Sequence, residues 1–147
     1  MRRNQTQMSL EQYRKIRKQA DPRLAIAMEI SRFTRMGKNA VRGLDIESLI
    51  HLEGTEVVAN EIIVYKRRKD TMSSATLPES LQHKILDFLN NHRGKFSGPL
   101  LSCWHNDRMT TQCFFYLWKS AQVKAGLWPP GFTFGEFNFN KAGNDSR

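Results

Sequence analysis

The chain has 147 residues and a mass of 17.1 kDa, close to the commonest single-domain size, so one hydrophobic core is expected rather than two. Lys and Arg number 23 against 14 Asp and Glu, and this net charge of +9 points to a polyanionic partner, nucleic acid ahead of an anionic membrane surface. No window approaches the roughly 18 consecutive apolar residues of a membrane span, and the two cysteines, Cys103 and Cys113, fit a reducing, cytoplasmic setting without a disulfide framework.

Residues 1–8, MRRNQTQM, are polar and aperiodic and read as a flexible basic arm. Ser9 with Gln12 three residues on has the form of a capping box, opening a short helix that ends before Asp21-Pro22. Asp21 caps a second helix with Pro22 in its first turn, a buried stripe of Leu24, Ala25, Ala27, Met28, Ser31 and Phe33, and Gly37 as its stop. A third helix over about 39–50 buries Val41, Leu44, Ile46, Leu49 and Ile50. Runs of β-branched residues over 55–59 and 62–65, with a weaker one over 73–77, predict three strands. The basic stretch Lys66-Arg67-Arg68-Lys69 falls at a hairpin tip between the second and third. Pro78 restarts helix, with Leu81, Ile85, Phe88 and Leu89 at helical spacing up to about His92. Residues 93–108 read as a loop anchored by Pro99-Leu100-Leu101. Thr110 caps the last helix, which runs through Phe114, Phe115, Leu117, Trp118 and Ala121 to Gly126. Residues 129–147 read as an irregular tail, whose Phe132, Phe134, Phe137 and Phe139 either pack on the body or form a dimer contact. The expected fold is α+β, a mainly helical body over 9–128 with a small three-stranded antiparallel sheet.

Charge is concentrated. The first 40 residues hold ten Lys and Arg against Glu11, Asp21 and Glu29, so +7 of the +9 lies there. Other chemistry is sparse: Cys103, His105 and Cys113 lack the paired C-x-x-C spacing of a zinc site, His51, His83 and His92 stand alone, and no glycine-rich phosphate loop occurs. Neither a metal nor a cofactor is expected.

The succession of helices, basic hairpin, Leu-Pro-Glu helix, loop and Thr-capped helix ending in Ala-Gly-Leu resembles the catalytic domain of the tyrosine recombinases, the phage integrase family. Four segments carry the resemblance, Met8-Ser-Leu-Glu-Gln-Tyr-Arg14, 25–50, 62–81, and Met109-Thr-Thr-Gln112 through Ala125-Gly-Leu127, and together they span roughly 8–138. In that family a tyrosine attacks a DNA phosphate while two arginines and a histidine or lysine hold the charge that builds on the non-bridging oxygens. The resemblance puts Asp45, in Arg42-Gly-Leu-Asp45, where the first arginine belongs, and Gly135 and Asn138 where the histidine and second arginine belong. Arg42 would have to reach back three residues to substitute, and only Lys69 or Lys66 matches the family's turn lysine. The chain ends nine residues after Asn138, before the family's nucleophile; Tyr13, Tyr65 and Tyr116 read as half-buried packing residues. The implied protein is a truncated recombinase-like domain with no catalytic residues, not an enzyme.

What the resemblance retains is a DNA-facing surface. The candidate nucleic-acid-binding residues are Lys66, Arg67, Arg68 and Lys69 in the turn, Arg108, Thr110, Thr111 and Gln112 at the start of the last helix, and Arg35, Lys38 and Arg42 nearer the amino terminus. A helix start bearing Thr hydroxyls, a Gln amide and an Arg suits phosphate and base-edge contact. The expectation is an accessory or regulatory protein that binds double-stranded DNA, encoded on a mobile genetic element such as a plasmid, phage or integrative element. Its partner would be a recombinase, relaxase or replication protein. The alternatives are an interaction module that pairs with an active recombinase and scarcely touches DNA, and a gene remnant without function. A basic turn continuous with Arg108 favours DNA, whereas a turn neutralised by Glu47, Glu56 or Asp70 favours the interaction module.

Overall fold

In the computed structural model Ser9 Oγ accepts the N–H of Gln12 at 3.1 Å and Gln12 Oε1 accepts that of Ser9 at 2.9 Å. This closed capping box starts α1, Leu10–Gln19. The structure describes residues 8–66, 71–103, 107–135 and 137, with backbone alone at 52, 62–66 and 71–74. Helix α2, Pro22–Thr34, begins where Asp21 Oδ1 accepts the N–H of Arg23 at 2.8 Å. It stops at Arg35 rather than Gly37. Thr34 Oγ1 donates to the Ile30 carbonyl and accepts the Met36 N–H, Ser31 Oγ donates to the Met36 carbonyl, and these two hydroxyls turn Arg35 to a left-handed φ of 67°.

The expected third helix is two short ones, α3 (Lys38–Arg42) and α4 (Ile46–Leu49). Tertiary hydrogen bonds break it: the Leu44 carbonyl accepts the N–H of Leu100 at 3.0 Å, and the Ile46 N–H goes to the Gly98 carbonyl at 2.8 Å. Strand β1, Ile50–Glu53, pairs antiparallel with β2, Glu56–Ala59, and β3, Glu61–Lys66, with β4, Thr71–Thr76. The described strands therefore form two hairpins rather than one three-stranded sheet, within the expected mainly helical α+β class. Strand β1 was not anticipated, because Ile50 also fits the apolar spacing of the helix before it. Helix α5, Glu79–Phe88, widens into a π-helical turn, Leu89–Arg93, which Gly94 ends at φ 75°. The last helix, α6, spans Thr111–Lys124; Thr110 Oγ1 accepts the Cys113 N–H at 3.1 Å.

The core joins Tyr13 and Ile16 of α1, Ala27, Met28 and Ile30 of α2, Ile85 and Phe88 of α5, and Phe114 and Trp118 of α6. It is wider than 9–128. Met8, expected in the arm, is buried, and so are Phe134 and Phe137 of the expected tail. Phe134 meets Phe114 and Trp118 edge to face at 4.9 and 5.2 Å between ring centroids. The approach to these rings is fixed by buried Gln122, whose Oε1 accepts the Phe132 N–H at 2.6 Å, and by Trp118 Nε1, which donates to the Phe132 carbonyl at 2.8 Å. Of the two open readings of this segment, packing on the body is the one seen; Phe139 lies outside the described residues.

Tyr13 is fully buried rather than half-buried, and its hydroxyl donates to Glu29 Oε2 at 2.6 Å. Glu29 also pairs with Arg17 at 3.3 Å and Lys84 at 3.0 Å, joining α1, α2 and α5. Burial pulls the Glu29 pKa upward, but the hydrogen bonds from Tyr13 and Lys84 outweigh it and hold the carboxyl below its ordinary range. Burial and the adjacent carboxylate push the Tyr13 hydroxyl well above the usual phenol value. Tyr116, also expected half-buried, is 67% exposed, and the Tyr65 side chain lies outside the described residues.

Candidate nucleic-acid interface

A short antiparallel ladder, with Met109 N–H on the Leu101 carbonyl at 3.0 Å and Cys103 N–H on the Asp107 carbonyl at 2.9 Å, lays 107–109 beside 101–103. The ladder brings Arg108 to the α3–α4 junction. Its Nη1 donates to the carbonyls of Arg42 and Leu44, each at 3.2 Å, and its Nη2 donates to Asp45 Oδ1 at 2.6 Å. Asp45 stands at the N-cap of α4 yet makes no capping hydrogen bond, because its carboxylate is turned to Arg108. Arg42 returns the contact: its Nη1 donates to the Met109 carbonyl at 3.0 Å, while its Nε is buried without a partner.

Two arginines thus tie the same two segments together from opposite sides, so both of these candidate DNA contacts also have a structural task. Their donors are aimed at main-chain carbonyls and a carboxylate of their own fold, and Arg108 thereby positions the segment that leads into α6. Arg42 has not reached into the place of Asp45. Beside them, buried Arg93 donates from Nε to the Pro99 carbonyl at 2.9 Å, and desolvation holds its pKa below the usual guanidinium value. Glu47 Oε1 accepts the Gly98 N–H at 3.0 Å, so that carboxylate holds the 98–99 loop.

The rest of the candidate surface divides in two. Thr110, Thr111 and Gln112 are exposed on the first turn of α6, with the Thr110 hydroxyl engaged as the cap, and Arg35 and Lys38 are exposed where α2 gives way to α3. Lys66 closes β3 but its side chain, like all of Arg67, Arg68, Lys69 and Asp70, lies outside the described residues, while Glu56 is exposed at the start of β2. The basic turn whose continuity with Arg108 would favour DNA lies outside the described residues, and at its other end the Arg108 guanidinium is engaged. Sequence reasoning missed the Asp45–Arg108 pair and the burial of Arg93; with the partners 63 positions apart, no local spacing signals the pair. Asp45 followed by an apolar helical run reads as an ordinary cap.

Gly135, where the resemblance puts the family's histidine, has a φ of 100°, and a Cβ there would meet Gly37 Cα at 3.6 Å and the Met36 carbonyl at 3.8 Å. Space is adequate, but that backbone conformation strains any side-chain-bearing residue. Asn138 lies outside the described residues. Among the described residues, no three His, Cys, Asp or Glu gather as metal ligands would, and no helix is long and apolar enough to cross a membrane.

No protein-family model matches the chain, and no curated protein matches it in sequence. Its structure is similar to that of the XerH site-specific recombinase bound to difH substrate in a pre-cleavage complex, with a TM-score of 0.63 and 15% identity over 98% of this chain. The chain spans 45% of that recombinase chain, less than half its length. At this identity the likeness is one of architecture: the protein has a tyrosine-recombinase-like α+β fold.

Proposed function

We propose that this protein is a recombinase-derived factor that binds double-stranded DNA without cutting it, in an accessory or regulatory role on a mobile genetic element. The observation that carries this reading is the Asp45 carboxylate, at the position the resemblance gives to the first catalytic arginine and held 2.6 Å from Arg108 Nη2. A carboxylate there repels the charge that builds on a phosphate under attack, and each such lost stabilising contact is worth about 3 kcal/mol. The backbone of Gly135 at the histidine position, a conformation that strains any residue with a side chain, acts in the same direction. DNA as the partner is supported by the architectural likeness to a substrate-bound recombinase, by the +9 charge, and by exposed Arg35, Lys38, Thr111 and Gln112. Such a protein acts by occupying or shaping a site that a recombinase, relaxase or replication protein also uses.

Selection of bound sequences from a random duplex pool, followed by incubation of the winners as nicked duplexes, tests both halves. Enrichment of a motif without a covalent protein–DNA adduct is expected, and an adduct overturns the non-cleaving reading. A second reading has its own observation: Phe115, Tyr116 and Val123 are 47%, 67% and 50% exposed on α6. A pool that enriches nothing favours a module whose α6 face pairs with an active recombinase.

A further inference from the structure

His51, isolated in the sequence, has an oxygen at each ring nitrogen: Nε2 lies 3.1 Å from Glu53 Oε2, and Nδ1 faces Asn60 Oδ1. The Asn60 amide is oriented from its other end, where Nδ2 donates to the Glu47 carbonyl at 2.8 Å, so an acceptor and not a donor is turned to the histidine. Neither oxygen donates at neutral pH, so both contacts are made only when both ring nitrogens carry hydrogen, as in the imidazolium. Asn60 is also the single residue between β2, which ends at Ala59, and β3, which begins at Glu61, and among the described residues the two hairpins are separate sheets. Its N–H donates to the Leu49 carbonyl at 2.8 Å, which pins this joint to the end of α4. We infer that His51 is a proton-operated latch on the Asn60 joint, closed as the imidazolium and released as the neutral ring, which sets how firmly the β3–β4 hairpin is held to β1 and α4.

The charges around the ring favour the closed form. Residues 43–65 hold Asp45, Glu47, Glu53, Glu56 and Glu61 and no Lys or Arg, so no cation on these elements opposes protonation. Glu53 is the one in contact with the ring; Glu56 stands opposite it in the β1–β2 register, Glu47 Oε1 accepts the Gly98 N–H, Asp45 is paired with Arg108, and Glu61 opens β3 next to Asn60. The hydrogen bond to Glu53, and after it that to Asn60, raise the His51 pKa above the ordinary imidazole value. Because the folded-state value is the higher one, the latch contributes fully below the ordinary histidine range and is lost as pH rises through the raised value. Once released, Asn60 keeps its bonds to the Leu49 and Glu47 carbonyls, so the joint loosens without coming apart. The ring is exposed and exchanges its proton with solvent while the core stays folded.

The test uses the full chain without DNA, so its outcome is independent of the proposed function. Ring signals of the histidines followed by NMR against pH, with His51 assigned through its own backbone amide, should show His51 titrating above the ordinary value of about 6.5, and lower in E53Q than in the wild type. Protection of the Asn60 amide against hydrogen exchange, corrected for the intrinsic pH dependence of exchange, should fall several-fold between about pH 5 and about pH 8 in the wild type and stay level in H51Q. A His51 ring that titrates at or below the ordinary value, or Asn60 protection that does not change with pH in the wild type, overturns the inference. Both measurements on the wild type decide the matter even if a variant fails to fold.

Discussion

The ring of Phe137 stands edge to face on that of Tyr13, 5.2 Å between centroids and 72° between planes, so a residue near the end of the described chain closes over the first helix. Phe134 completes the packing on the Phe114 and Trp118 side. Phe134→Ala is expected to lower unfolding stability by about 3–5 kcal/mol, the usual cost of emptying a buried phenylalanine site. Urea denaturation measures it, and a loss below about 1 kcal/mol would mean that the segment rests on the body without supporting it.

Glu29 gives a pH-dependent prediction. Its pKa is lowered in the folded chain, so its contribution is present above the ordinary carboxylate value and is lost as pH falls through the folded one. Glu29→Gln should cost about 1.5–3 kcal/mol at neutral pH, the worth of hydrogen bonds to a charged group. The difference from wild type should narrow as pH drops below the ordinary carboxylate range. A constant gap across that titration would assign the loss to packing.

Removing Arg108 leaves the carbonyls of Arg42 and Leu44 and the Asp45 carboxylate without their donor. An exposed ion pair alone is worth about 0–1 kcal/mol, but the added carbonyl contacts should bring Arg108→Ala to about 1–3 kcal/mol. A double-mutant cycle with Asp45→Asn isolates the pair. Coupling near zero would show that Arg108 acts through the carbonyls alone.

On DNA, about six phosphate contacts should give a slope of about −5 in log K against log salt, and alanine at Lys66, Arg67, Arg68 and Lys69 together should flatten it by about two to four units. An unchanged slope would remove the turn from the backbone-contacting surface.

If the proposed DNA-binding role holds, exposed Gln112 is the side chain of its turn that should read a base. Gln112→Ala should cost about 1–3 kcal/mol on a selected duplex and little on a scrambled one. Arg108→Ala, acting through position, should weaken both by similar factors. Equal loss from Gln112→Ala on both duplexes would place specificity elsewhere.

Elements set by near neighbours were legible from sequence: Ser9 and Gln12 cap each other, Asp21 and Pro22 start α2, and Thr110 starts α6. Elements set by distant partners were not. The α3–α4 break depends on Gly98 and Leu100, β1 gains its identity from β2, and Arg42 and Arg108 of the candidate surface are engaged because carbonyls some 65 residues away accept them. A charged side chain in a basic chain reads as solvated until the backbone groups around it are known. At the start of α6 the structure separates side chains that the turn presents, Thr111 and Gln112, from those that hold the turn in place, Arg42 and Arg108.

The Asp45–Arg108 pair and the backbone of Gly135 each oppose, independently, the side chains that the resemblance would put at positions 45 and 135. Arginine introduced at position 45 would confront the guanidinium of Arg108 and remove its carboxylate partner, and replacing Arg108 first would leave the α3–α4 carbonyls bare. Histidine at position 135 would demand a different backbone path beside Gly37. Each step toward a phosphate-activating site is therefore destabilising on its own account, and a selection for strand transfer starting from single substitutions should return none at these positions.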